Sequence, residues 1–271
     1  MPGVDHLLHV QQHGYCILPD IIPPARCPGI RRRLLDVVHA QRSSSAPQNV
    51  GFVPSVINYD QSFAEYLAEE RLLTLVRQLL GPHVRISFTS AIVNEPGNAR
   101  GDWHADWPFN QKNAGHISAP YPDAVFHLTT LWMLSPFDGE NGGTLIVPGS
   151  HRRPTNPTDP ASGIDPATPF PGEIQATGDA GSVLVMDSRL WHATAPNTTG
   201  EPRVALAVRY APWWLNLDVL RPGSSERRRL CDASGLGENS VPAIRPDVFA
   251  GLAASVQPLY SHWVQRPDER V

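Results

Sequence analysis

The chain has 271 residues, 41 % of them hydrophobic, with a formal net charge of −4 and only three cysteines. That is enough apolar material for one well-buried domain, while the mild acidity offers nothing to nucleic acid and no run of about 18 apolar residues spans a membrane. Cys16, Cys27 and Cys231 have no CxxC spacing and the N-terminus has no signal-peptide core, so reduced thiols and a cytoplasmic location are expected. Lys112 is the only lysine, and 28 prolines are about twice the usual share of roughly 5 %, which points to a loop-rich β protein.

In chain order, residues 6–12 suit a short helix ending at Gly14, followed by the apolar stretch Tyr15-Cys16-Ile17-Leu18. Residues 25–42 carry Ile30, Leu34, Leu35, Val37 and Val38 near helical spacing, and residues 43–58 read as a polar loop. The clearest amphipathic helix covers 63–80 and stops at Gly81-Pro82. Beyond it the pattern changes to short β-branched or aromatic runs at 84–94, 125–134, 143–147, 182–187 and 204–210, bounded by turn residues, as in an antiparallel barrel or sandwich. Residues 150–178 form a long Pro-rich connection of the kind that is disordered or acts as a lid. Residues 221–247 are a second such segment, and 249–264 suit a terminal helix. One domain results: a mostly helical part over 1–82, a β core over 83–215, and a C-terminal loop and helix over 216–271.

Two fragments carry chemistry. Trp103-His104-Ala105-Asp106 puts an imidazole and a carboxylate two residues apart, on one face of a strand. Trp191-His192-Ala193-Thr194 supplies a second imidazole, with Arg203 eleven positions on. Alone, His104 and Asp106 read as a surface pair. The flanking Trp103 and Trp107 suit a pocket wall instead, and two histidines with one carboxylate leave Fe(II) open positions for co-substrate and oxygen.

If residues 192–203 form a hairpin centred between Thr198 and Thr199, Thr194 faces Arg203, and His192 shares their face. That face continues through Ala205, Ala207 and Arg209; Val204, Leu206, Val208 and Tyr210 point the other way, towards the N-terminal helices. A buried arginine needs a charged partner. A ligand carboxylate suits Arg203, since guanidinium binds such groups in bidentate fashion; the alternative is an ion pair with Asp187 or Glu201.

His104-Ala105-Asp106, Asn141-Gly142-Gly143-Thr144-Leu145-Ile146-Val147-Pro148-Gly149-Ser150-His151, and His192 with Arg203 together resemble the phytanoyl-CoA dioxygenase family of Fe(II)/2-oxoglutarate oxygenases. The resemblance implies a mainly β fold with flanking helices, a double-stranded β-helix (a cupin-like jelly roll). It implies Fe(II) on His104, Asp106 and His192, with the distal carboxylate of 2-oxoglutarate on Arg203 and hydroxyl contacts from Thr194 and Thr144. O2 would be the second co-substrate, and 2-oxoglutarate would leave as succinate and CO2. Asp106 argues against halogenation, because related halogenases lose this carboxylate. The chain departs from several relatives at Leu131, where they carry an aromatic residue, and at Gly101, where others carry glutamine.

The expected substrate is a small organic molecule, hydroxylated or otherwise oxidised at an unactivated C–H bond. Trp107, Phe109, Asn110 and Trp213 are candidates to touch it, and Arg209 suits an anionic substrate group, or else a salt bridge at the barrel end. The remaining histidines are not expected to ligate metal. Two other readings stand beside the oxygenase: a cupin-like non-redox metalloenzyme and a non-catalytic jelly-roll binding protein.

Overall fold

Two long strands, β3 (Val84–Asn94) and β9 (Arg203–Pro212), pair antiparallel along nearly their whole length. The computed structural model describes residues 5–41, 49–107, 122–159, 162–234 and 240–266. Ahead of β3 come helix α1 (His6–His13), strand β1 (Tyr15–Leu18), helix α2 (Cys27–Gln41), strand β2 (Val50–Pro54) and helix α3 (Glu70–Leu80). Strands β4 (Leu128–Met133), β5 (Thr144–Ile146), β6 (Ile174–Gln175), β7 (Val183–Asp187) and β8 (His192–Thr194) lie between β3 and β9, and short helices α4 (Ser225–Leu230), α5 (Pro246–Gly251) and α6 (Gln257–Tyr260) follow. Among the described residues the strands form a six-stranded sheet in the order β1-β7-β4-β9-β3-β2 and a three-stranded sheet in the order β6-β5-β8.

Strict alternation divides the core. Val204, Leu206, Val208 and Tyr210 of β9 pack outward with Ile30 and Leu34 of α2 and Leu72 and Val76 of α3, while Ala205, Ala207 and Ala211 join Leu131, Met133 and Ile146 in the space between the sheets. A third cluster, Trp103, Ala105, Leu145, Val147, Trp191 and Ala193, lies behind the small sheet. The connection over 150–178 covers that back face rather than the site: Phe170 meets Trp191 edge-on at 5.3 Å, and Trp103 Nε1 donates to Thr168 O at 2.9 Å. No helix among the described residues is long and apolar enough to cross a membrane.

Four sequence expectations change. The loop expected over 43–58 contains β2, whose Val-Gly-Phe-Val-Pro sequence hides an edge strand. Gly51 is required there because a side chain would strike Val38 of α2, 2.5 Å from the added Cβ. The helix expected over 63–80 breaks at Glu69, which is extended (ψ 130°) and caps α3 by accepting a 3.0 Å bond from Leu72 N. The terminal helix splits into α5 and α6, with Pro246 and Pro258 each opening a new first turn. Finally, β8 and β9 do not form a hairpin: β8 pairs with β5 in the small sheet, so Thr194 faces Thr144, whereas Arg203 faces Asn94 of β3. Asn197 drives this crossing, donating to Asn94 O and Glu201 O at 2.9 Å each while its Oδ1 accepts from Thr199 N at 3.0 Å. Both strands still turn the anticipated faces into the space between the sheets.

Candidate metal centre

Residues 103–106 run beside β8, and His104 and His192 form an antiparallel bridge, His104 N–H to His192 O at 3.0 Å and the reverse bond at 2.9 Å. Alternation then buries Trp103 and Ala105 behind the small sheet, so Trp103 is core and not the expected pocket wall. His104, Asp106 and His192 point between the sheets. One ligand atom from each lies within 4.8 Å of the others.

The imidazoles are pre-oriented by their outer nitrogens. His104 Nδ1 lies 3.0 Å from Asp102 O and His192 Nδ1 2.9 Å from Leu190 O, so each Nδ1 carries its hydrogen and Nε2 is the ring nitrogen left to face a cation. His192 Nε2 is 3.5 Å from Asp106 Oδ2. Burial, reinforced by the neighbouring charge of His104, pushes His192 down to about 4, which leaves it neutral. Burial works to raise the Asp106 pKa, but the Arg209 guanidinium, both imidazoles and the Thr129 hydroxyl outweigh it and hold the carboxyl well below its ordinary range. Neutral imidazoles with an ionised carboxylate are the forms that bind a divalent cation, so the donor set fits Fe(II).

Arg203 projects from the start of β9 and is 3 % exposed. Its Nε and Nη2 both donate to Gly142 O, at 3.0 and 2.6 Å, and its guanidinium lies 4.6 Å from the Phe137 ring centre. Among the described residues no carboxylate comes within 4.0 Å of it: Asp187 pairs with Arg189 at 2.7 Å, and Glu201 lies 3.8 Å from Arg31. Burial pushes its pKa down to about 10, so it remains a cation at neutral pH. Thr144 and Thr194, directly paired across β5 and β8, share the inward face of the small sheet with His192 and Ile146.

Arg209 lies on the anticipated face but is already engaged. Its Nη2 donates to Asp106 Oδ1 at 2.6 Å, and its guanidinium sits 4.5 Å from the Phe88 ring centre. Of the two expectations for Arg209, an anionic substrate group or a salt bridge, the structure shows a salt bridge, made with Asp106. Thr129, which the sequence reading passed over, donates to Asp106 Oδ2 at 2.7 Å. Its signal was period two: Thr129 is the direct neighbour of Arg209 in the β4–β9 register.

Trp107 is buried at 2 % exposure, with its ring edge-on to Phe126 at 5.4 Å, and Phe126 meets Trp214 at 5.5 Å. Trp213 and Trp214 are both more than half exposed. Phe109 and Asn110 lie outside the described residues. Leu131 faces the space between the sheets, and Gly101 donates to Thr194 O at 2.9 Å, where an added Cβ would meet Thr194 at ordinary contact distance.

Compared with known proteins, residues 10–205 match the family model described as phytanoyl-CoA dioxygenase (PhyH). Dioxygenase af480 of Aspergillus fumigatus is 27 % identical over 218 residues, which is 76 % of this chain but only 65 % of the fungal protein's length. Ectoine dioxygenase of Nocardia farcinica is 26 % identical, with 73 % of this chain and 74 % of its own covered. Among solved structures, HygX from Streptomyces hygroscopicus with nickel, 2-oxoglutarate and hygromycin B bound superposes with a TM-score of 0.66 at 17 % identity, over 88 % of this chain and 97 % of that one. That superposition bears out the jelly-roll architecture. By its sequence match the chain belongs to the phytanoyl-CoA dioxygenase family, among the non-heme Fe(II)- and 2-oxoglutarate-dependent dioxygenases.

Proposed function

We propose that His104, Asp106 and His192 hold Fe(II), that Arg203 receives the distal carboxylate of 2-oxoglutarate beside Thr144 and Thr194, and that the reaction oxidises an unactivated C–H bond of a small organic molecule, 2-oxoglutarate leaving as succinate and CO2. One observation carries this reading: two imidazoles and a carboxylate converge between the sheets, while among the described residues the buried cation Arg203 has a carbonyl and a ring face but no carboxylate within 4.0 Å. Bound Fe(II) and its 2-oxo acid supply the oxidising chemistry with O2. The chain's own work is to orient and exclude. His104 and His192 present fixed lone pairs, the Asp106 carboxylate neutralises part of the metal charge, and Arg203 offers a bidentate clamp for a carboxylate. The apolar residues Leu131, Met133, Ile146, Ala205 and Ala207 keep the intervening space dry. The edge-on series Trp107, Phe126 and Trp214, with exposed Trp213 beside it, offers an organic substrate an apolar approach.

Anaerobic titration with Fe(II) and 2-oxoglutarate tests the assignment. A weak visible charge-transfer band and a gain in thermal stability that need both additives are expected, and Asp106→Ala should abolish the band. Stabilisation by metal alone would favour a non-redox metalloenzyme, and no response to either would favour a binding protein.

A further inference from the structure

Asp106 is held by more than its ion pair. Behind Oδ2 runs a buried chain of side chains contributed by β3, β4, the residue just before β4 and the turn after β7. Thr129 Oγ1 lies 2.7 Å from Asp106 Oδ2, Ser188 Oγ 2.8 Å from Thr129 Oγ1, His127 Nδ1 2.8 Å from Ser188 Oγ, and Ser87 Oγ 2.8 Å from His127 Nε2. Ser87 Oγ also lies 3.3 Å from the backbone oxygen of Arg209, a longer approach that competes with His127 Nε2 for its single hydrogen. His127, Thr129, Ser188 and Ser87 are all at most 2 % exposed.

The direction of every hydrogen bond follows from the carboxylate. An ionised Asp106 only accepts, so Thr129 donates to it. With its single hydrogen used, Thr129 accepts from Ser188, and Ser188 in turn accepts from His127 Nδ1–H. Burial, with Arg209 adding to it and Asp106 opposing, pushes His127 down to about 3, so the ring is neutral and its Nε2 accepts from Ser87. All donors point one way, and the charge of Asp106 orders the chain.

We propose that His127, acting through Ser188 and Thr129, is a positioning residue that locks Asp106 with Oδ2 turned towards the His104–His192 pair before any metal arrives, Arg209 holding the other oxygen. This rests on the reading of Asp106 as a metal ligand. It assigns a role to a histidine outside the His104, Asp106 and His192 cluster, and it requires the Nδ1–H tautomer at position 127.

Two measurements test it. In metal-free protein labelled with 15N-histidine, the ring assigned by its disappearance in His127→Phe should show a protonated Nδ1 and a bare Nε2; the opposite tautomer would overturn the chain. In anaerobic Ni(II) titrations, Thr129→Val should weaken binding about tenfold, and Thr129→Ser should restore most of it. His127→Phe should weaken it less, and Thr129→Val with His127→Phe should be no weaker than Thr129→Val alone, since the chain is already cut. Full affinity in Thr129→Val, or additive losses that merely follow thermal stability, would overturn the proposal. Equal Ni(II) affinity in wild type and Asp106→Ala would instead overturn the metal assignment, and the positioning role with it, while leaving the tautomer result intact.

Discussion

Arg203 gives both Nε and Nη2 to a single acceptor, the carbonyl of Gly142, at 3.0 and 2.6 Å. One neutral carbonyl is a poor match for a buried guanidinium. The arginine is therefore aimed by the Asn141-Gly142 turn but left with charge to neutralise, which a bound dicarboxylate can do. Arg203→Ala should remove the 2-oxoglutarate-dependent part of the thermal stabilisation while Ni(II) still binds. Arg203→Lys keeps the charge without the fork, and its 2-oxoglutarate Kd should rise at least about tenfold. Loss of Ni(II) binding in Arg203→Ala would count against the assignment.

The same turn should be intolerant of side chains. Gly142 has φ +80°, and a Cβ there would run into the Asn94 amide and Ala195 O. Asn94 Nδ2 also donates to Gly142 O at 3.2 Å, so displacing it moves the carbonyl that aims Arg203. Gly142→Ala should lower the thermal midpoint and weaken 2-oxoglutarate binding together, as read by thermal shift with and without the acid.

Asn197 turns the chain from one sheet to the other with bonds from both ends of its amide, and it is 1 % exposed. Asn197→Ala takes a partner from the buried Asn94 carbonyl and leaves the Glu201 carbonyl and Thr199 N–H to solvent, at a cost of about 1–3 kcal/mol. Urea denaturation of the metal-free protein measures this; a change below about 0.5 kcal/mol, the range of ordinary surface substitutions, would contradict the role.

Acid should destabilise the metal-free protein. Burial pushes His127 down to about 3 and His192 to about 4, and burial with the charges of Arg85 and Arg221 pushes His262 to about 3, each from an ordinary 6.5. Below pH 6.5 the unfolded chain takes up protons that the folded one refuses, so stability is full above that pH and falls as pH drops towards 4. The loss is at most about 2 kcal/mol per histidine between pH 6.5 and 5. The depressed Asp106 adds to the loss only at still lower pH. Unfolding free energies at pH 7 and 5 measure the slope, which His127→Phe should make shallower.

Trp214 ends the edge-on aromatic series that begins at Trp107, beside Asp106. Once a substrate is found, Trp214→Ala should raise its KM with little effect on the KM for 2-oxoglutarate. Equal effects on both would remove the aromatic series from substrate binding.

Local pattern alone determined much of this protein. Alternation along residues 203–210 named both faces of β9 correctly, the run at 84–94 is β3, and His104, Asp106, His192 and Arg203 were singled out by residue type and spacing. Where a residue's partner is distant in sequence, that pattern is silent. The sheet that β8 joins depends on β5 and on Asn197, β2 becomes a strand because β3 and α2 flank it, and Arg209 is an ion-pair partner because Asp106 is brought across from another segment. The same holds for His127, which looks like any loop histidine until Ser87 and Ser188 close on its two nitrogens. Periodicity reports which way a side chain points; only the folded chain decides what it meets there.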